Sequence, residues 1–253
     1  MMTFKFLAGL TISAYFLIAI LLFVFQRDLI YFPSATYAHT LTIEPFLNEG
    51  ERVEVVVLNE SNENAILYFG GNAESVVHSS VSLANAFPAH TLYLVNYRGY
   101  GGSSGNPTEQ ALYSDAQYIY DIVEKRHADV SVIGRSLGSG IATFLASTRA
   151  IRQMVLVTPY DSIQRIAQDR FPIYPMTILL KDKYDSVDRI KEIESRTLVI
   201  LAEHDKVIPL KYSVRLIEAF PEQQITVKTI LGAGHNNLSD GDEYYVLLQN
   251  FME

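Results

Sequence analysis

The chain contains no cysteine, which excludes a disulfide framework, a thiolate zinc site and a cysteine nucleophile together. The redox compartment stays open, because a cysteine-free chain survives equally well in reducing and oxidising surroundings. Basic residues are not in excess either. Against 28 Asp+Glu there are 20 Lys+Arg, a formal net charge of −8, so the basic footprint of a nucleic-acid partner is missing. There is no internal repeat and no low-complexity tract, and with 49% hydrophobic and 19% charged residues in 253 the chain is not of a disordered class. Phosphate-binding glycine patterns are also lacking: Gly70-Gly71 belongs to neither G-x-G-x-x-G nor G-x-x-x-x-G-K-[ST].

Only one long uncharged run is present. Residues 6–25 (FLAGLTISAYFLIAILLFVF) carry no charge, and at about 1.5 Å per helical residue this run matches the roughly 30 Å hydrocarbon core of a bilayer. A secretory signal would close with a small-residue A-x-A site, but the run passes into Phe23-Val24-Phe25-Gln26-Arg27-Asp28. Residues 1–27 are therefore expected to be a retained single-pass anchor, followed by a linker over 28–50 and one folded domain over 51–253. Lys5 precedes the span and Arg27 alone follows closely. That balance favours the N-terminus inside and the domain outside, in a bacterium the periplasm, by a single charge.

After the anchor, short β-rich runs alternate with helical patterns. Strands are expected near 52–58, 65–69, 91–96, 129–133, 153–157, 197–202 and 225–230, and helices over 74–87, 108–127, 137–148, 210–219 and 240–251. This order implies an α/β fold: a mostly parallel sheet covered on both faces by helices. Region 158–195 breaks the rhythm with Phe171-Pro172-Ile173-Tyr174-Pro175 and the apolar turn 176–180, which reads as a small inserted lid over about 162–190.

Strand 129–133 leads directly into Gly134-Arg135-Ser136-Leu137-Gly138 and a helix. A serine on such a sharp strand-to-helix turn needs residues without side chains two before and two after it. The turn also sets the Leu137 N–H at a helix N-terminus, able to donate to an oxyanion. Gly101-Gly102-Ser103-Ser104-Gly105 matches the same G-x-S-x-G pattern, but Asn106-Pro107 follows instead of a helix, so 97–107 is expected to be a glycine-rich loop. A serine hydroxyl needs a base, and the base needs a carboxylate to fix its tautomer. Asp205 follows strand 197–202, and His235 lies in the glycine-flanked loop after strand 225–230. Asp161 is the runner-up acid and Glu203 a weaker one. His204 adjoins the acid, while His39, His78, His90 and His127 read as solvated. For a second oxyanion donor, the loop Gly70-Gly71-Asn72-Ala73 offers the Asn72 N–H, with Gly71 as the alternative.

Gly70-Gly71-Asn72-Ala73, Asn96-Tyr97-Arg98-Gly99-Tyr100-Gly101, the Ser136 turn, Asp205 and Gly234-His235 together resemble the α/β-hydrolase fold of the serine aminopeptidase-like superfamily. With the anchor, they resemble more narrowly the membrane-anchored α/β-hydrolase domain proteins, whose eukaryotic relatives include protein depalmitoylases. The resemblance implies Ser136 as nucleophile, Asp205 as acid, His235 as base, and Asn72 with Leu137 as oxyanion donors. One departure stands out: relatives commonly carry His-Gly where this chain has Gly70-Gly71. The expected activity is hydrolysis of an ester or thioester without metal or organic cofactor, on a small-molecule or acylated-protein substrate held near the membrane. A serine peptidase using acidic lid residues such as Asp169, Asp182 and Asp185 is the alternative enzyme. A non-catalytic membrane-tethered binding module is the alternative of another class.

Overall fold

The computed structural model describes residues 2–253, with side chains from Phe4 onward. Of the anticipated anchor 1–27, Met1 lies outside the described residues. The chain begins with α1 (Met2–Ile30), of which Phe4–Ile30 is long and apolar enough to cross a membrane. It continues through β1 (Thr42–Asn48), β2 (Glu51–Leu58), β3 (Asn64–Phe69), α2 (Val76–Ala86), β4 (His90–Val95), α3 (Glu109–Val123), β5 (Asp129–Arg135), α4 (Leu137–Thr148) and β6 (Gln153–Val157). The remainder is α5 (Ile163–Arg170), α6 (Met176–Leu179), a 3₁₀ turn (Val187–Glu192), β7 (Arg196–Ala202), α7 (Leu210–Ile217), β8 (Ile225–Ile230) and α8 (Asp242–Met252).

Eight strands form one sheet in the order β1-β2-β4-β3-β5-β6-β7-β8. β2 runs antiparallel to both neighbours, and every pair from β4 onward is parallel. The parallel strands are buried on both faces, as their continuous Val/Ile/Leu runs require. One apolar cluster packs Leu67, Val132, Leu156 and Val199 under α3 and α4. A second, on the opposite face, packs Ile66, Ile133, Val155 and Ile200 under α2 and α8.

The sheet starts earlier than the sequence reading expects. The segment 28–50, anticipated as a linker, carries the last turn of α1 and all of β1, which is paired to β2 from Thr42↔Val57 to Asn48↔Glu51. β1 is an edge strand in which Phe46 alone is buried, and Pro45 is tolerated because an edge strand leaves one N–H side unpaired. The lid region consists of α5, α6 and the 3₁₀ turn. It rests against α1: Tyr15 stacks on Tyr174 with centroids 4.8 Å apart, and the Gln26 side chain donates to Leu179 O (3.1 Å) and accepts from Lys181 N (2.6 Å).

Candidate active site

Ser136 lies between the end of β5 and the first residue of α4, at φ +50° and ψ −115°. An L-residue held at positive φ is strained, and surrounding bonds must fix it there. Here its N–H donates to Val157 O (2.9 Å), and its carbonyl accepts from the Ser139 N–H (2.9 Å) and hydroxyl (2.6 Å). The two glycines are required by space. A Cβ on Gly134 would meet Gly138 O at 2.4 Å, and one on Gly138 would come within 2.0 Å of Phe69 O. Leu137, as the first residue of α4, has no carbonyl four residues back inside the helix to receive its N–H.

The adjacent strands β7 and β8 end side by side, Ala202 opposite Ile230, so their following loops meet. His235 Nε2 lies 2.9 Å from Ser136 Oγ, and His235 Nδ1 lies 2.8 Å from Asp205 Oδ2. The other Asp205 oxygen accepts from the N–H groups of Val207 (2.9 Å) and Ile208 (2.7 Å), which aims the carboxylate at the imidazole. Ser136 and His235 are both buried. The carboxylates and imidazole set aside in the sequence analysis serve other ends. Glu203 accepts from Gly232 N (2.8 Å), while the His204 N–H donates to Ala233 O (2.8 Å) and its ring is exposed. Asp161 is fully buried, accepts from Ser162 N (2.7 Å) and lies near Arg165 and Arg215; burial raises its carboxyl above the ordinary range. The Ser103 hydroxyl donates to Asn96 O (2.9 Å) and accepts from Glu54 N (2.8 Å), stitching the glycine-rich loop to β2.

Pairing of Phe69 with Gly134 brings the loop after β3 beside Ser136. A Cβ on Gly71 would lie 3.8 Å from Ser136 Cβ. The Gly71 N–H is engaged, however, donating to Glu74 Oε2 at 2.7 Å, so the alternative donor is spoken for. Among the described residues the Asn72 N–H has no acceptor within the chain.

Glu74 is the residue that sequence reasoning missed. Its carboxylate also accepts from the hydroxyls of Tyr68 (2.7 Å) and Ser79 (2.6 Å), and it lies 3.2 Å from where a Cβ on Gly70 would project. The space into which a side chain at position 70 would project is thus filled by Glu74. Arg135, 4.0 Å from Glu74, donates to His235 O at 3.2 Å and so links the loop after β3 to the histidine loop. The Asn72 side chain is held from the other direction: its oxygen accepts from Phe32 N (2.9 Å) and Tyr100 OH (2.7 Å), and its amide donates to Ile30 O (2.5 Å). Phe32, Asn72, Ser136, Val207 and His235 line a cavity of about 460 Å³.

A family model described as the alpha/beta hydrolase fold matches residues 64–179. An uncharacterized protein of Mycobacterium tuberculosis is 30% identical over 247 residues, covering 90% of this chain and 87% of its own length. Protein bem46 of Schizosaccharomyces pombe is 26% identical, covering 97% of this chain and 92% of its own. The human alpha/beta hydrolase domain-containing protein 17B is 29% identical over 64% of this chain and 56% of its own length. A CIB-like hydrolase structure from Thermoplasma acidophilum shares the fold with a TM-score of 0.64 at 18% identity, covering 85% of this chain and 99% of its own.

Proposed function

Because the chain belongs to the α/β-hydrolase fold family, we propose that it is a serine hydrolase, transferring the acyl group of an ester or thioester to water through an acyl-Ser136 intermediate. The observation that carries this reading is the continuous relay from Ser136 Oγ through His235 to Asp205, at 2.9 and 2.8 Å. The strained turn at Ser136 presents the hydroxyl at one end of that relay.

In this reading the His235 Nδ1–H donates to Asp205, which leaves the Nε2 lone pair facing the Ser136 hydroxyl. His235 takes the hydroxyl proton as Ser136 attacks the carbonyl carbon, and the N–H groups of Asn72 and Leu137 receive the oxyanion. Collapse expels the alcohol or thiol, protonated by His235. A water, deprotonated by the same imidazole, then attacks the acyl-serine; the second collapse restores the serine and releases the acid. Asp205 stays ionised and stabilises the imidazolium, aided by its two backbone donors.

For the substrate we favour a lipid ester or an S-acylated protein, with α1 holding the domain at a membrane. Two of the three acidic lid residues that a peptidase could turn toward a substrate amine are occupied. Asp169 pairs with Lys211 and Tyr212, and Asp182 with Arg27 and Tyr31. The test is labelling by a fluorophosphonate probe together with turnover of aryl esters and of aminoacyl amides. Wild type should label and cleave the esters, and Ser136→Ala should do neither. Ester turnover undiminished in Ser136→Ala overturns the assignment, and amide cleavage exceeding ester cleavage would favour the peptidase.

A further inference from the structure

Separate from the catalytic cavity, a half-open, apolar cavity of about 190 Å³ lies between α1 and the lid. Leu22, Leu29 and Ile30 of α1 form one wall, and Ile166, Ala167 and Leu179 of the lid form the other. It is larger than the roughly 150 Å³ apolar cavity that admits a benzene ring, so it has room for a stretch of hydrocarbon and not for a whole lipid. We propose that it is an acyl-chain site, filled directly from a bilayer leaflet and serving the same Ser136 centre; this rests on the membrane and acyl-hydrolase readings above.

Three observations converge on that occupant. The first is depth. The lid follows α1 from Gln26, bonded to Leu179 and Lys181, down to Tyr15, whose hydroxyl donates to Ile173 O at 3.0 Å. Tyr15 and Gln26 are eleven helical steps apart, about 16 Å, which is half of a hydrocarbon core roughly 30 Å thick. The lid tip therefore lies within the leaflet whenever α1 spans it. The second is composition. Segment 171–180 (FPIYPMTILL) carries no charge and is bracketed by Arg170 and Lys181, with Ile173 and Ile178 exposed. Apolar side chains facing outward and cations at the two ends suit a segment dipped into lipid with its charges at the headgroups. The third is continuity with the chemistry. Ile30 lines the apolar cavity and accepts from the Asn72 side chain, and Phe32, two residues on, lines the catalytic cavity. A polar latch of Arg27–Asp182 and Tyr31–Tyr184 (3.0 and 2.9 Å) closes α1 onto the lid.

The experiment uses full-length Ser136→Ala protein in phosphatidylcholine vesicles containing a phosphatidylcholine with a diazirine in one acyl chain. Photolysis should label peptides of α5 in addition to α1, and Ala167→Phe, which fills the cavity, should remove at least nine-tenths of the α5 label. Leu29→Phe fills it from the opposite wall and should do the same if the lid variant fails to fold. Label confined to the outer part of α1, or an α5 label unchanged by both variants, overturns the site. With Ser136 restored, kcat/KM for monomeric aryl esters should rise about fourfold per added methylene until the cavity is full, and Ala167→Phe should lower the decanoate-to-acetate ratio at least tenfold. An α5 label that persists in a protein unable to hydrolyse any ester would refute the hydrolase reading and leave the chain site standing. Hydrolysis without the label would do the reverse.

Discussion

Removing the Glu74 carboxylate should damage catalysis by releasing the loop after β3 that it holds beside Ser136. In Glu74→Ala, three donors lose a charged acceptor: the Gly71 N–H, the Tyr68 hydroxyl and the Ser79 hydroxyl. The Ser79 hydroxyl can turn to water, but Tyr68 and Gly71 are buried. At about 1.5–3 kcal/mol for each charged hydrogen bond, less the desolvation of a largely buried carboxylate, the net loss of stability is about 3 kcal/mol. The same change unpins the peptide preceding Asn72, and an oxyanion donor out of place costs on the order of 10²-fold in kcat. The expected result is therefore kcat down about 10²-fold with KM within about threefold, since the lost interaction forms only in the transition state. Glu74→Gln keeps a carbonyl for the Gly71 N–H, and its amide can donate to the hydroxyls, so kcat should stay within about tenfold of wild type. Steady-state kinetics on an aryl ester, with circular dichroism as the folding control, decides it. A folded Glu74→Ala enzyme with wild-type kcat would refute the positioning role and, with it, the placement of the oxyanion site at Asn72.

Asp205→Asn should lower kcat by about 10⁴-fold, because an amide in place of the carboxylate favours the wrong imidazole tautomer; stopped-assay kinetics showing less than a tenfold loss would point to another acid. Gly138→Ala should yield no soluble, ordered enzyme, since its Cβ would sit 2.0 Å from the Phe69 carbonyl, where only backbone could yield; expression with a wild-type melting curve would contradict that packing. Burial raises the Asp161 carboxyl above its unfolded value, so its contribution to stability is complete below the unfolded value and is lost as pH rises through the folded one. Urea midpoints of wild type and Asp161→Asn compared from about pH 4 to 7 should therefore move in the variant's favour as pH rises, and a pH-independent difference would exclude the effect.

Legibility in the sequence followed the range of the interactions. The Ser136 turn could be read because everything it needs is local: a buried strand, glycines at −2 and +2, and a helix start. The positions of Asp205 and His235 could be read because parallel strands deliver their following loops to one edge of the sheet. β1 was obscured because TIEPFLN buries a single side chain and contains a proline, so no strand periodicity survives at that edge. Contacts of α1 with the lid join residues more than 150 positions apart through polar groups, Gln26 to Leu179 and Arg27 to Asp182, and no local pattern announces them. Glu74 was hidden for a third reason. Position 70 is a glycine, and only the folded chain shows that the carboxylate four residues later occupies the space beside it. A carboxylate that fills the space beside Gly70 and accepts from the Gly71 N–H can hold the loop after β3 without leaving a local motif. It follows that Gly70→His alone should not improve this enzyme: the incoming imidazole would meet Glu74, and the two changes Gly70→His and Glu74→Ala should be less harmful together than the sum of their separate effects.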